Sequence, residues 1–162
     1  MDWTHGNALK YNNADDTWLL SLAHTQNVLI IDRATGAPTA TWGVDGVPAT
    51  PPFDLQHDPT LLDDTHLLMF MTDPDTSLSG AIEYEIGADQ LTEVWRRGFE
   101  AHSDFLGQAT RLENGNTLVN YGEQGVIEEV TPDGGVAWHG STNGASPTGQ
   151  FRLVDSLYPP AP

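Results

Sequence analysis

The chain has 162 residues, which is enough for one domain with a hydrophobic core. It holds no cysteine, so disulfide bonds and thiolate metal sites are excluded, and no apolar run approaches the roughly 18 residues of a membrane span. The 23 acidic and six basic residues give a net charge of −17, which predicts that neither nucleic acid nor a membrane is a partner. Such a charge either keeps the chain soluble or creates an electric field that concentrates cations at a site.

Three similar units follow one another along the chain, and each is predicted to hold four short strands. The first covers about residues 1–45, the second about 54–98 and the third about 105–142. In each unit, apolar segments rich in β-branched and aromatic residues alternate with polar turns, a pattern that is typical of strands and not of helices. The last strand of each unit contains a tryptophan: Trp42, Trp95 and Trp138.

Four strands in every unit, with a tryptophan in the fourth, predict an all-β fold built from β-propeller blades. A sandwich could use strands of this size, but it does not predict a tryptophan in every fourth strand. After the third unit, residues 149–158 resemble the opening strand of another blade. The prediction is therefore a single half-propeller domain over residues 1–162, with three blades and one extra C-terminal strand. Because propellers close with about 4–8 blades, we expect a homodimer that completes a six-bladed ring.

Four motifs carry a resemblance to a known family. They are Asp2-Trp3-Thr4-His5-Gly6-Asn7-Ala8, Ile31-Asp32-Arg33-Ala34-Thr35-Gly36, Gln56-His57-Asp58 and Arg111-Leu112-Glu113-Asn114-Gly115-Asn116-Thr117-Leu118. In this order they resemble bacterial arylsulfotransferases. The resemblance implies a six-bladed propeller that moves a sulfuryl group from an aryl sulfate to a phenol through a sulfated histidine. Family members are longer and commonly exported, so the chain is expected to be a C-terminal half, here without a signal peptide.

The resemblance also implies catalytic residues. His5 and His57 stand in the matching motifs, and His102 is the nearest candidate for the nucleophile. The arginine that the family places in a Ser-Arg-Ala context is replaced here by Gly80. His5, His57 and His102 are thus the predicted catalytic residues.

The first strand of each propeller blade lines the central channel, so its polar residues are expected to meet there. We expect the substrate to contact Asn7, Gln56 and Gln108, with Arg111 and Arg152 as the nearby cations. Developing negative charge on an ester would need such cations.

Three interpretations of this channel remain open from the residues alone. A histidine could attack a sulfate or phosphate ester as the nucleophile. Alternatively, His5, His57 and Asp58 could bind a divalent metal such as zinc, manganese or calcium, which would polarise the ester. The polar residues could also be structural, hydrogen-bonded to one another and to water.

The acidic composition favours the metal among these interpretations, since a dication would offset the charge that opposes an ester anion. We therefore expect a metal-assisted hydrolase of small aryl esters of phosphate or sulfate. Sulfuryl transfer through a histidine nucleophile is the alternative, and a non-enzymatic, self-assembling propeller fragment is the third hypothesis.

Overall fold

The computed structural model describes residues 2–103, 105–142 and 146–153, which form three mainly antiparallel β-sheets in chain order. These residues contain no α-helix; two single 3-10 turns lie at Ala23–Thr25 and Gly122–Gln124. Within the same ranges, no helix has the length and apolar character needed to cross a membrane. The predicted all-β class is confirmed.

The first blade is a regular four-stranded meander. Its strands pair in the order β1-β2-β3-β4, which are Gly6–Asn12, Thr17–Leu22, Asn27–Asp32 and Pro38–Gly43. Side chains alternate along β2, so that Leu19 and Ser21 are buried while Trp18 and Leu20 on the other side are only partly covered. This alternation is expected of a sheet with one face on the core and one face open.

The second blade has five strands, one more than predicted. The sheet order is β5-β9-β8-β7-β6, and the strands are Ala49–Thr50 (β5), His57–Asp63 (β6), His66–Thr72 (β7), Ser79–Ile86 (β8) and Leu91–Ala101 (β9). The short β5 pairs with β9 in parallel and extends the outer edge of the sheet. In contrast to β2, β7 is almost continuously buried, because this blade is covered on both faces.

The third blade repeats the four-stranded meander. Its strands pair in sequence order and are Gln108–Arg111 (β10), Thr117–Tyr121 (β11), Val126–Val130 (β12) and Val136–Ser141 (β13). Trp42 in β4, Trp95 in β9 and Trp138 in β13 all lie in the fourth strand of their meanders, as predicted.

The blades stack face to face through two hydrophobic cores that share β7. Leu67, Met69 and Met71 belong to the core between the first and second blades. The alternate residues Leu68 and Phe70 belong to the core between the second and third blades. This stacking, with the first strands β1, β6 and β10 side by side, is the arrangement of half a propeller, and the three blades do not close a ring.

The extra C-terminal strand is only partly within the described residues. Residues 149–153 form no strand, and residues 154–158 lie outside the described ranges. The Gln108 side chain nevertheless binds both main-chain groups of Phe151: its Oε1 accepts from the N–H at 2.9 Å, and its Nε2 donates to the carbonyl at 3.2 Å. The segment therefore lies beside β10, where the first strand of a fourth blade would lie.

Candidate functional site

A cavity of about 440 Å³ lies where the first strands of the three blades meet the C-terminal segment. Its polar lining comes from all of these parts: Lys10 on β1, Asp58 on β6, Gln108 on β10, and Arg152. Of the residues predicted to line the channel, the structure thus brings Asp58, Gln108 and Arg152 together. In a closed propeller, the corresponding strands surround the central channel.

Lys10 and Asp58 form the charged contact in this cavity. Lys10 Nζ lies 2.8 Å from Asp58 Oδ1, and the carboxylate is almost completely buried. Lys10 also donates to the Asp58 carbonyl at 3.2 Å and to the Thr60 hydroxyl at 2.5 Å. Burial raises the pKa of Asp58, while Lys10 and Gln108 oppose that rise. The predicted metal-binding carboxylate is therefore held by an ammonium group.

Asn7 and Gln56, two predicted substrate contacts, connect the first two blades. Asn7 Nδ2 donates to the Gln56 carbonyl at 2.7 Å. Gln56 is fully buried, and its Nε2 donates to the Leu22 and Asn27 carbonyls, both at 3.1 Å. Their amide donors thus satisfy main-chain acceptors at the blade interface, and neither residue lines the cavity.

His5 lies in a compact group with Asp2 and His24. Its Nδ1 is 2.6 Å from Asp2 Oδ2, and His24 Nδ1 is 2.9 Å from the Asp2 main-chain carbonyl. The two imidazole rings stack with centroids 4.5 Å apart and an interplanar angle of 20°. His5 has a φ of 48°, which is uncommon for a non-glycine residue.

His57 differs from every other histidine of the chain. Among the described residues its ring has no hydrogen-bond partner, whereas a hydrogen bond occupies Nδ1 in each of the other five: His5, His24, His66, His102 and His139. Burial, and to a lesser extent the charge of His5, lower the pKa of His57 to about 4. The imidazole is consequently neutral at physiological pH, with free ring nitrogens.

His102 and Arg111, two further predicted site residues, do not line the cavity. His102 is exposed, and its Nδ1 lies 2.5 Å from the Ser77 carbonyl. Arg111 forms an ion pair with Glu83, and its guanidinium lies 5.4 Å from the centre of the Trp95 ring. The charge of Arg111 is therefore paired between the second and third blades.

Sequence reasoning missed three residues of this region. Lys10 is the only lysine in an acidic chain and lies on a first strand. These two facts could have placed it in the channel from sequence alone. Asp2 precedes β1 and His24 lies in the turn after β2, so their proximity to His5 depends on pairing that spacing alone does not reveal.

A sequence model of the arylsulfotransferase family matches residues 1–144. The chain belongs to this family. The match includes all three blades and every predicted site residue except Arg152, and it confirms the resemblance inferred from the four motifs. A search of curated proteins finds no match to the chain. Neither His5 nor His57 is among the residues that line the cavity, although Asp58, which follows His57 in β6, is.

Proposed function

We propose that this chain transfers a sulfuryl group from an aryl sulfate to a phenol, with His57 as the nucleophile. The observation that carries the proposal is the ring of His57, which is partly buried and has no hydrogen bond among the described residues. A nucleophilic histidine needs a neutral imidazole with an available lone pair. The lowered pKa of His57 supports the same assignment.

The proposed reaction has two displacements at sulfur. A ring nitrogen of His57 attacks the sulfur, the bond from sulfur to the aryl oxygen breaks, and the phenolate leaves with that electron pair and is protonated. An acceptor phenol then loses its proton and attacks the same sulfur, and the nitrogen–sulfur bond breaks. We assign both proton transfers to His5, because the Asp2 carboxylate fixes its Nδ1 and it is close enough to affect the pKa of His57.

Positive charge for the sulfate would come from Lys10 and Arg152. Both line the cavity together with Asp58, the neighbour of His57 in β6, and they would take the role of the arginine that Gly80 replaces. Lys10 is partly neutralised by Asp58, so Arg152 is the cation with the larger net effect in the cavity.

We also propose that two copies assemble into a six-bladed ring. On β1, β2 and β3, the residues opposite the core form an apolar open face of the first blade: Leu9, Tyr11, Trp18, Leu20, Leu29 and Ile31. Leu9 is 60% exposed on this face, and Trp138 is 52% exposed on the third blade. Under two-fold symmetry the first blade of each copy would cover the third blade of the other, and the ring would close.

The test of the transferase uses His57→Gln and the matched control His66→Gln, with a nitrophenyl sulfate donor and a phenol acceptor. We expect His57→Gln to lose roughly 1,000-fold or more of the transfer rate, and His66→Gln to retain it. Mass spectrometry of donor-treated wild type should find one sulfo group on His57. The rate should decrease as pH falls through about 4, because His57 is then protonated and loses its lone pair.

Wild-type turnover without a sulfo group on His57, or equal rates in the two variants, would contradict the nucleophile. No turnover of any ester would favour the non-enzymatic, self-assembling fragment.

Metal-assisted hydrolysis of aryl phosphate or sulfate esters is the second candidate function. The observation that favours it is the group Asp2, His5 and His24, whose potential ligand atoms all lie within 4.8 Å of one another. Turnover that a chelator abolishes and one divalent ion restores, without a phenol acceptor, would establish hydrolysis and replace the transferase.

A further inference from the structure

We propose that Asp2, His5 and His24 bind one divalent transition-metal ion of the zinc class. One carboxylate oxygen and one nitrogen from each imidazole lie within 4.8 Å of one another. Ligand atoms bound to one tetrahedral zinc ion at about 2.0–2.2 Å lie about 3.3–3.6 Å apart, so side-chain rotation would have to bring the more widely spaced atoms of this group closer by up to about 1–1.5 Å.

Main-chain hydrogen bonds already hold the three residues together. The Ala23 N–H donates to the His5 carbonyl at 3.0 Å, and the His24 N–H donates to the Thr4 carbonyl at 3.2 Å. The His5 N–H donates to Asp2 Oδ1 at 2.9 Å. Both histidines therefore reach the site from fixed main-chain positions, and this lowers the entropic cost of assembling the ligands.

The two imidazoles converge on oxygens of a single residue. His5 Nδ1 lies 2.6 Å from the Asp2 carboxylate and His24 Nδ1 lies 2.9 Å from the Asp2 carbonyl, so each ring can donate a hydrogen bond to Asp2 from Nδ1. A bound cation would be attracted to the Asp2 carboxylate and would replace the hydrogen bond that His5 now makes to it. The net charge of −17 raises the local concentration of cations around the chain and favours the same outcome.

The ligand types determine which metal the site would prefer. Two imidazoles with one carboxylate suit zinc and neighbouring transition metals, whereas calcium and magnesium require mostly oxygen ligands. Three protein ligands would leave one coordination position for water or an ester oxygen. This ligand set retains His5 from the predicted set and replaces His57 and Asp58, because Asp58 is paired with Lys10.

The site follows from these contacts and not from either proposed activity. Occupancy would deepen the hydrolase candidate, and it would withdraw His5 from the proton transfers assigned to it in the transferase. The test titrates the full, tag-free chain with Co²⁺ and Zn²⁺ and measures absorption and heat. We expect one ion per chain, with the visible absorption of tetrahedral Co²⁺, and no competition from Ca²⁺ or Mg²⁺. His24→Ala should weaken binding at least about 100-fold.

His66→Ala is the matched control, because His66 Nδ1 also faces a carboxylate, that of Asp63 at 3.0 Å, in the same turn. Its affinity should equal that of the wild type. Equal affinity in His24→Ala and His66→Ala, or competition by Ca²⁺, would overturn the proposal, as would absence of Co²⁺ binding. If His24→Ala misfolds, Zn²⁺-induced shifts of the His5 and His24 ring nitrogens in wild-type NMR spectra decide instead. Since none of these readouts uses turnover, failure of the site is distinguishable from failure of either activity.

Discussion

At the residue scale, the contact between Lys10 and Asp58 has the largest expected effect on stability. The Asp58 side chain is 3% exposed and that of Lys10 is 34% exposed, so the carboxylate has little access to water. Removing one partner from a buried pair leaves an uncompensated charge, which costs far more than the pair itself contributes. The contact also fixes β1 against β6, beside the cavity.

Lys10→Met is expected to lower the free energy of unfolding by about 2–4 kcal/mol, because Asp58 would stay buried without its cation. The double variant Lys10→Met/Asp58→Asn should recover most of this loss. Arg33→Met is the control, since Arg33 and Asp16 are both about half exposed and their ion pair should be worth less than about 1 kcal/mol. Urea denaturation measures all of them, and equal losses in Lys10→Met and Arg33→Met would contradict the argument.

Sequence reasoning identified part of the candidate site and missed the rest for physical reasons. Gln108 and Arg152 were expected in the channel, and they line the cavity. The motif histidines His5 and His57 were expected to act together, and the charge of His5 lowers the pKa of His57. The ion pair of Arg111 with Glu83 was not anticipated, because the spacing of residues does not show which side chains meet between two blades.

At the element scale, the contact between the second and third blades depends on the absence of a side chain before β10. Gly107 has a φ of 121°, and a Cβ there would lie 2.3 Å from Phe70 Cδ1. The Phe70 ring is buried and packs edge-on against Tyr121, with centroids 6.0 Å apart. The ring therefore has no room to move away from a new methyl group.

Gly107→Ala is expected to destabilise the chain by at least about 3 kcal/mol, from backbone strain and the clash with Phe70. Gly36→Ala separates the two causes, because Gly36 also has a left-handed φ, of 69°, but has open space around it. That variant should lose only about 1 kcal/mol. Thermal and urea unfolding provide the comparison, and similar losses at both positions would show that packing at Gly107 is not limiting.

The order and type of the main strands could be predicted from sequence, but the segments at the edges of the sheets could not. Alternation in β2 and the continuous apolar run of β7 indicate strands open on one face or covered on both. The two-residue strand β5 carries no such pattern, because its pairing depends on where β9 lies. Residues 149–153 have the composition of a strand, yet side-chain bonds from Gln108 hold the segment without strand pairing among the described residues.

At the scale of the whole molecule, the apolar open face of the first blade and the net charge of the chain have opposite effects on dimerisation. Burying that face between two copies would gain hydrophobic free energy. Bringing together two chains that each carry −17 costs electrostatic free energy, and salt screens that cost. Assembly should therefore strengthen as ionic strength rises.

Leu9→Glu is expected to convert the proposed dimer into a monomer, because it places a charge on the open face without entering a core. Val44→Glu is the control: Val44 is 65% exposed but lies in the turn after β4. Light scattering after gel filtration should give a dimer for wild type and Val44→Glu, and a monomer for Leu9→Glu. A wild-type monomer at micromolar concentration and 0.5 M salt would contradict the six-bladed ring.

The position of β7 has a consequence for how the chain unfolds. In most repeat proteins each unit contacts only its neighbours, and end units can detach first. Here one strand supplies alternate residues to both hydrophobic cores, so the middle blade cannot loosen without disturbing the blade on either side. Hydrogen exchange should accordingly be slowest for the amides of β7, because exposing them requires both hydrophobic cores to open.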